Sequence, residues 1–170
     1  MTAPDLEHAK AIALRLLRAT DRSRSGLVER LVERDVAPAV AESAVHALER
    51  AGLVDDARLA SELVARELSR GPTGRARLES KLRAVGVPDT IAAAALDEAY
   101  ADRDPLPDAQ AFARARLRAM PPRLDAAARA RRLAAALSRR GFDPDTAERV
   151  VAEFVLDAAP SDPTDSDAMG

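Results

Sequence analysis

A ten-residue pattern that occurs three times constrains this chain more than any other feature. Its skeleton is leucine, three residues, leucine, three residues, a helix-stopping residue and a hydrophobic residue, with a proline close behind. The copies are Leu27, Leu31, Asp35, Val36 and Pro38; Leu78, Leu82, Gly86, Val87 and Pro88; and Leu133, Leu137, Gly141, Phe142 and Pro144. Two leucines four apart share one face of a helix. Glycine, and less readily aspartate, adopts the left-handed backbone conformation that ends a helix, and the hydrophobic residue after it can pack back on the last turn. Proline then opens a new helix where its missing N–H costs nothing. Each copy therefore predicts helix, sharp stop, helix.

Successive copies begin 51 and 55 residues apart, and self-similarity at such a spacing marks stacked supersecondary units. The expected fold is all-α: three tandem three-helix repeats at 1–54, 55–103 and 104–157, the last two helices of each forming a helix-turn-helix-like pair. Composition agrees. Hydrophobic residues make up 47% of the 170, but aromatics only 2%, so the core must be built from Ala, Leu and Val, which with Arg and Glu favours helix. Beyond Asp157 the residues are Ala, Pro, Ser, Asp and Thr with one Met. That composition cannot bury apolar surface, so 158–170 is expected to be a disordered acidic tail.

The first helix is expected over Leu6–Ala19, and Ser23 or Ser25 is the candidate N-cap of the second, which runs to Arg34. Pro38 opens the third, which stops at Gly52. Leu53 and Val54 are expected in the seam, with Asp55 capping the fourth helix and Asp56 meeting its positive end. That helix runs to about Arg70, a Gly71-Pro72-Thr73-Gly74 turn precedes the second copy, and another helix spans Pro88 to Tyr100. Asp104-Pro105-Leu106-Pro107 is the clearest break, with helices predicted over Asp108–Ala119, Leu124–Arg140 and Pro144–Leu156.

No cysteine is present, which excludes disulfides, thiolate zinc sites and a cysteine nucleophile. No apolar run approaches the ~20 residues of a membrane span, and Asp5 and Glu7 precede the first apolar stripe, unlike a signal peptide. A soluble cytoplasmic protein is expected. His8 and His46 are the only histidines, read as having no second ligand at i+3 or i+4. Asp55-Asp56 is accounted for by capping, and Gly71–Gly74 lacks the spacing and the lysine of a phosphate loop. No catalytic or metal site and no cofactor is expected.

The formal net charge of −2 conceals segregation. Gln110–Phe142 carries nine arginines against one acid, Asp125, whereas the last fourteen residues hold four aspartates and no base. Too few carboxylates are at hand for local pairing, so the arginine face is expected to attract a polyanion or an acidic protein surface. The candidate contact residues there are Arg114, Arg118, Arg129, Arg131, Arg132, Arg139 and Arg140. In the predicted helix over Leu124–Arg140, Ala126, Ala130, Leu133 and Leu137 form the buried stripe and the arginines lie off it. A weaker cluster in the second repeat consists of Arg75, Arg77, Lys81 and Arg83, with Glu79 among them. With one tyrosine and three phenylalanines, stacking on bases is not favoured.

These motifs resemble the RecX family, regulators of the RecA recombinase. The resemblance rests on Arg22-Ser23-Arg24-Ser25; Gly52-Leu53-Val54-Asp55-Asp56 with Leu59-Ala60; Arg70-Gly71-Pro72 leading into Leu78, Leu82 and Gly86-Val87; and Arg139-Arg140-Gly141-Phe142. They occur in the family's order and cover about residues 6–156. Leu59 stands where the family usually has phenylalanine, and Asp35 where it usually has glycine.

The resemblance implies an elongated, slightly curved array that binds RecA within the groove of its filament on single-stranded DNA. It further implies inhibition of strand exchange and ATP hydrolysis, by blocking extension or promoting disassembly, in the control of DNA repair, recombination and the SOS response. Such a protein acts as a monomer without chemistry of its own. The alternatives are a stand-alone helical DNA-binding protein contacting phosphates through its third repeat, and a helical scaffold with decorative arginines.

Overall fold

The three copies of the skeleton end in the same left-handed turn. In the computed structural model, which describes residues 3–156, φ is 61° at Asp35, 80° at Gly86 and 87° at Gly141. The residue after each stop donates its N–H to the second leucine: Val36 to Leu31 at 3.2 Å, Val87 to Leu82 at 3.1 Å and Phe142 to Leu137 at 3.2 Å. The stop residues donate to Val32, Arg83 and Ser138 at 3.0, 3.0 and 2.9 Å. This pair of bonds is the Schellman ending, which satisfies carbonyls that a helix terminus otherwise leaves open.

Nine α-helices result among the described residues: α1 (Ala3–Ala19), α2 (Arg24–Val32), α3 (Pro38–Arg50), α4 (Asp56–Ser69), α5 (Arg75–Ala84), α6 (Asp89–Tyr100), α7 (Pro105–Arg118), α8 (Ala126–Arg139) and α9 (Pro144–Val151). Those residues contain no strand. The acidic tail expected at 158–170 lies outside them. Residues 1–71 and 75–103 form one compact unit, and 72–74 join the described residues from 104 onward in a second.

In the first unit α1 and α2 pack on α3, while α4 and α5 pack on α6. Two hydrophobic clusters follow, one around Leu27, Leu31, Val45 and Leu48 and one around Leu63, Leu78, Leu82 and Leu96. In the second unit α7 and α8 pack on α9 around Leu133, Leu137, Phe142 and Val150. All six skeleton leucines are completely buried, each contributing about 1.5–3 kcal/mol of transfer free energy. Alanines at Ala9, Ala13, Ala109 and Ala113 are buried as fully. Their small side chains let helices approach closely in a core with few aromatic rings.

Capping follows the expected residues. Ser23 is the N-cap of α2, its hydroxyl accepting from the Gly26 N–H at 3.1 Å, and Asp55 caps α4 by accepting from Arg58 N–H at 2.9 Å. Asp56 stands in the first turn of α4 and accepts from the Arg24 N–H at 2.8 Å, joining the starts of α2 and α4.

Several local expectations are corrected. Helix α7 starts at Pro105 rather than Asp108, because Asp104 caps it by accepting from Leu106 N–H at 2.9 Å and both prolines occupy a first turn whose N–H groups have no intrahelical use. Helix α8 starts at Ala126, capped by Asp125, which accepts from Ala128 N–H at 2.6 Å. Ala126 is consequently exposed, and Ala136 joins Leu133 and Leu137 in the buried stripe. Leu53 is 48% exposed while Val54 alone enters the core. The last helix becomes a π-helix over Ala152–Leu156.

Candidate functional site

Lysine and arginine side chains in the two units meet different surroundings. In the first unit, Arg75 pairs with Asp97 at 2.6 Å, Arg83 with Glu79 at 2.9 Å and Asp89 at 3.5 Å, and Lys81 with Glu67. Glu67 is nearly buried and also receives Arg70 at 2.8 Å. The hydrogen bond from Lys81 holds its carboxyl below the usual carboxylate range, with Arg70 adding to the effect. Three of the four basic residues proposed in this repeat are thus neutralised locally. Arg77, the fourth, is exposed and also engaged.

In the second unit the arginines form a groove. Ala128, Arg131, Arg132, Ala135 and Arg139 recur on one face of α8, and Arg116 reaches in from α7 to enclose about 480 Å³. The alanines keep the floor low, so the guanidinium groups stand above it. Arg116, Arg131 and Arg132 are exposed and have no carboxylate in ion-pair range among the described residues. Like charges so placed repel each other unless an anion enters, and a guanidinium presents a planar fork suited to phosphate or carboxylate oxygens.

The other proposed arginines are held differently. Arg114 lies over the Phe154 ring at 5.3 Å, and its carbonyl accepts from Arg118 Nε at 3.2 Å. Arg140 lies over the Phe112 ring at 5.8 Å while its Nε donates to the Pro72 carbonyl at 2.5 Å, so this side chain braces its own fold. Arg129 is only partly exposed, turned towards the packed side of α8. Its Nε is buried and has no acceptor among the described residues.

The sequence reading did not foresee how two short segments seat on helix stops. The Ser23 hydroxyl donates to the Val85 carbonyl at 2.5 Å, and Ser25 donates to the Gly86 carbonyl at 2.8 Å. In the second unit the Gly74 N–H donates to the Arg140 carbonyl at 3.0 Å. A Cβ on Gly74 would collide with the Gly141 carbonyl and the Phe142 nitrogen. Thr73 beside it is buried. The available signal was small residues at matching places, since Ser23 and Gly74 each lie four residues before the first leucine of a copy.

Histidine requires a further correction. His46 does have a possible ligand at i+3, Glu49, whose carboxylate lies 3.5 Å from Nδ1. Both side chains are exposed, and no group of three metal-ligating residues occurs among the described residues. None of the helices there is long and apolar enough to cross a membrane.

Fold and surface together define an all-helical protein of three-helix units bearing an arginine-lined groove. The chain belongs to the RecX family. Residues 9–48 match the family model for the first three-helix domain of RecX. A regulatory protein RecX from Mycobacterium marinum is 34% identical over 154 residues, spanning 89% of this chain and 87% of the relative. Another from Streptomyces coelicolor is 36% identical over 147 residues, with 86% and 77% covered. The fold matches a crystal structure of RecX from Lactobacillus salivarius with a TM-score of 0.73 at 20% identity, covering 91% of this chain and 99% of the other.

Proposed function

We propose that this chain is a regulator, chiefly an inhibitor, of the RecA recombinase, acting in the cytoplasm on the RecA filament assembled on single-stranded DNA. It limits filament extension, strand exchange and ATP hydrolysis, and so restrains recombination and repair. Membership in a family whose relatives carry the name regulatory protein RecX supports the reading. The observation that carries it is the groove of Arg116, Arg131, Arg132 and Arg139, a cationic surface suited to a nucleoprotein. In this reading the repeats at 1–54, 55–103 and 104–157 act as successive contact modules of a monomer. Several modest contacts made at once then add up to firm binding.

Titrating the chain into a DNA-stimulated RecA ATPase reaction tests the proposal. Activity should fall at substoichiometric amounts of the chain, and an unchanged rate at a molar excess defeats the reading. The same groove supports a second reading, a DNA-binding protein that needs no RecA and contacts phosphates directly. That reading requires tight binding to naked DNA, lost steeply as salt rises.

A further inference from the structure

The carboxylates of the second unit are largely committed away from its arginine groove. Residues 104–156 hold ten arginines and seven carboxylates. Three of the seven are N-caps: Asp104 of α7, Asp125 of α8 and Asp143 of α9. Glu153 accepts from Gln110 Nε2 at 2.8 Å. Exposed Arg116, Arg131 and Arg132 meet no carboxylate in ion-pair range among the described residues.

The same sequence supplies the missing charge. From Asp157 onward it carries Asp157, Asp162, Asp165 and Asp167 and no base. The π-helix Ala152–Leu156, from which this segment departs, packs against α8, with Val155 buried in the cluster of Leu133 and Leu137. Its Glu153 and Phe154 meet Gln110 and Arg114 of α7. The last described turn thus rests on both helices that line the groove. Asp162 lies six residues beyond Leu156, a reach of up to ~20 Å at ~3.3 Å per extended residue. That matches the whole of fourteen-residue α8, which is ~21 Å long at ~1.5 Å per residue. Pro160 and Pro163 disfavour helix in the segment and favour extended chain. Extended, Asp162 and Asp165 stand about 10 Å apart, close to the ~10.5 Å rise between Arg132 and Arg139 on α8.

We propose that the acidic segment from Asp157 lies in the arginine groove of its own chain and is displaced when phosphates bind. Tethered to the same unit, its carboxylates act at an effective concentration of about millimolar order, so individually weak surface ion pairs suffice. A groove open for part of the time binds in proportion to its open fraction. The segment thereby sets a threshold that favours ligands as dense in charge as a phosphodiester backbone. It also flattens the salt dependence of binding, because phosphates displace carboxylates in exchange for fewer released counterions. The regulatory consequence rests on the reading of the groove as a filament contact, whereas the contact between segment and groove does not.

The test uses the full-length chain and full-length D157N/D162N/D165N/D167N, with R131A/R132A added to each and helicity checked throughout. Phenylglyoxal, which modifies accessible guanidinium groups, is applied at low salt and the modified arginines are located by mass spectrometry. Arg116, Arg131 and Arg132 should react about threefold faster in the asparagine variant, while Arg15 and Arg18 of α1, also exposed, should not change. The difference should disappear near 1 M salt, where the Debye length is about 3 Å. Naked single-stranded DNA should bind the asparagine variant about threefold more tightly, and the RecA ATPase should be inhibited at correspondingly lower amounts. Both gains should be largely lost in the R131A/R132A background. Equal phenylglyoxal rates at the groove in the two chains overturn the contact. Faster reaction at every arginine, or a DNA gain that survives in full with R131A/R132A, traces the effect to net charge and overturns it as well. Protection that grows with protein concentration places the segment on a second copy and has the same force. Groove protection without RecA inhibition by either chain supports the contact and defeats the RecA reading.

Discussion

The Ser23 hydroxyl reaches the Val85 carbonyl across 62 residues of sequence at a distance of 2.5 Å, fixing the start of α2 against the stop that ends α5. Gly74 and Arg140 make the corresponding contact with a backbone N–H at 3.0 Å. The two joints differ in how much they can give. Replacing Ser23 with alanine removes a cap and leaves a part-buried carbonyl without its donor, and should cost about 1–3 kcal/mol. Replacing Gly74 with alanine drives a methyl group into backbone at Gly141 and Phe142, where no flexible side chain can yield. It should cost at least as much as typical overpacking, about 1–3 kcal/mol. Urea denaturation of S23A and G74A measures both, and a G74A protein as stable as wild type would refute the close approach.

Arginines of the third motif should divide into two kinds. Arg131→Ala and Arg132→Ala alter exposed side chains and should change stability by no more than about 0.5 kcal/mol. Arg140→Ala removes the donor to Pro72 and the contact with Phe112, and should destabilise by about 1–3 kcal/mol. Replacing Arg131, Arg132, Arg139 and Arg140 together should weaken RecA inhibition with helicity retained. Thermal melts, circular dichroism and the ATPase titration read these effects. Undiminished inhibition by the folded quadruple variant removes this face from the mechanism.

Acid should loosen the first unit through Glu67. Its carboxyl titrates below the usual range because Lys81 hydrogen-bonds it, so in mildly acidic solution the unfolded chain takes up the proton first. The stabilisation is therefore present above the unfolded value of about 4.3 and is lost as pH falls through the lower folded value. Asp143, held low chiefly by the Thr146 N–H, adds a change of the same sign. Asp56 opposes it, because burial raises its carboxyl and makes the charged form a liability as pH rises. Urea midpoints should fall from pH 5 to pH 3, and E67Q should lie below wild type at pH 7 yet show a flatter fall. A wild-type slope in E67Q would refute the assignment.

Asp35 occupies the first stop with φ of 61°, where a side chain costs roughly 1–2 kcal/mol relative to its absence. Asp35→Gly should stabilise by up to about 1 kcal/mol, since the greater freedom of glycine in the unfolded chain offsets part of the gain. Equilibrium denaturation compares the two, and a destabilised D35G would mean that the aspartate side chain makes a contact worth more than its strain.

The helical skeleton was legible because local rules determine it. Leucines four apart, a residue able to turn left-handed and a following proline gave the stops at Asp35, Gly86 and Gly141, and Ser23 and Asp55 lie where caps belong, whereas Asp125 was read inside α8 and instead caps it. The start of α7 was misplaced because Pro105 and Pro107 were read as breakers, although the same chemistry favours proline in a first turn. The arginine cluster was visible as composition, but its division was not. Whether Arg140 faces Pro72, or Lys81 finds Glu67 fourteen residues away, depends on packing that no local spacing encodes. For the same reason the role of Ser23 beyond capping was invisible.

The Pro72–Gly74 turn precedes α5 in sequence yet packs with the described residues from Asp104 onward. An expression fragment cut at the proline-rich boundary before α7 would thus leave behind the groups that meet Arg140 and Gly141. Such a piece should be prone to aggregate or to proteolysis near Phe142, and supplying the missing turn as a tethered peptide should rescue it.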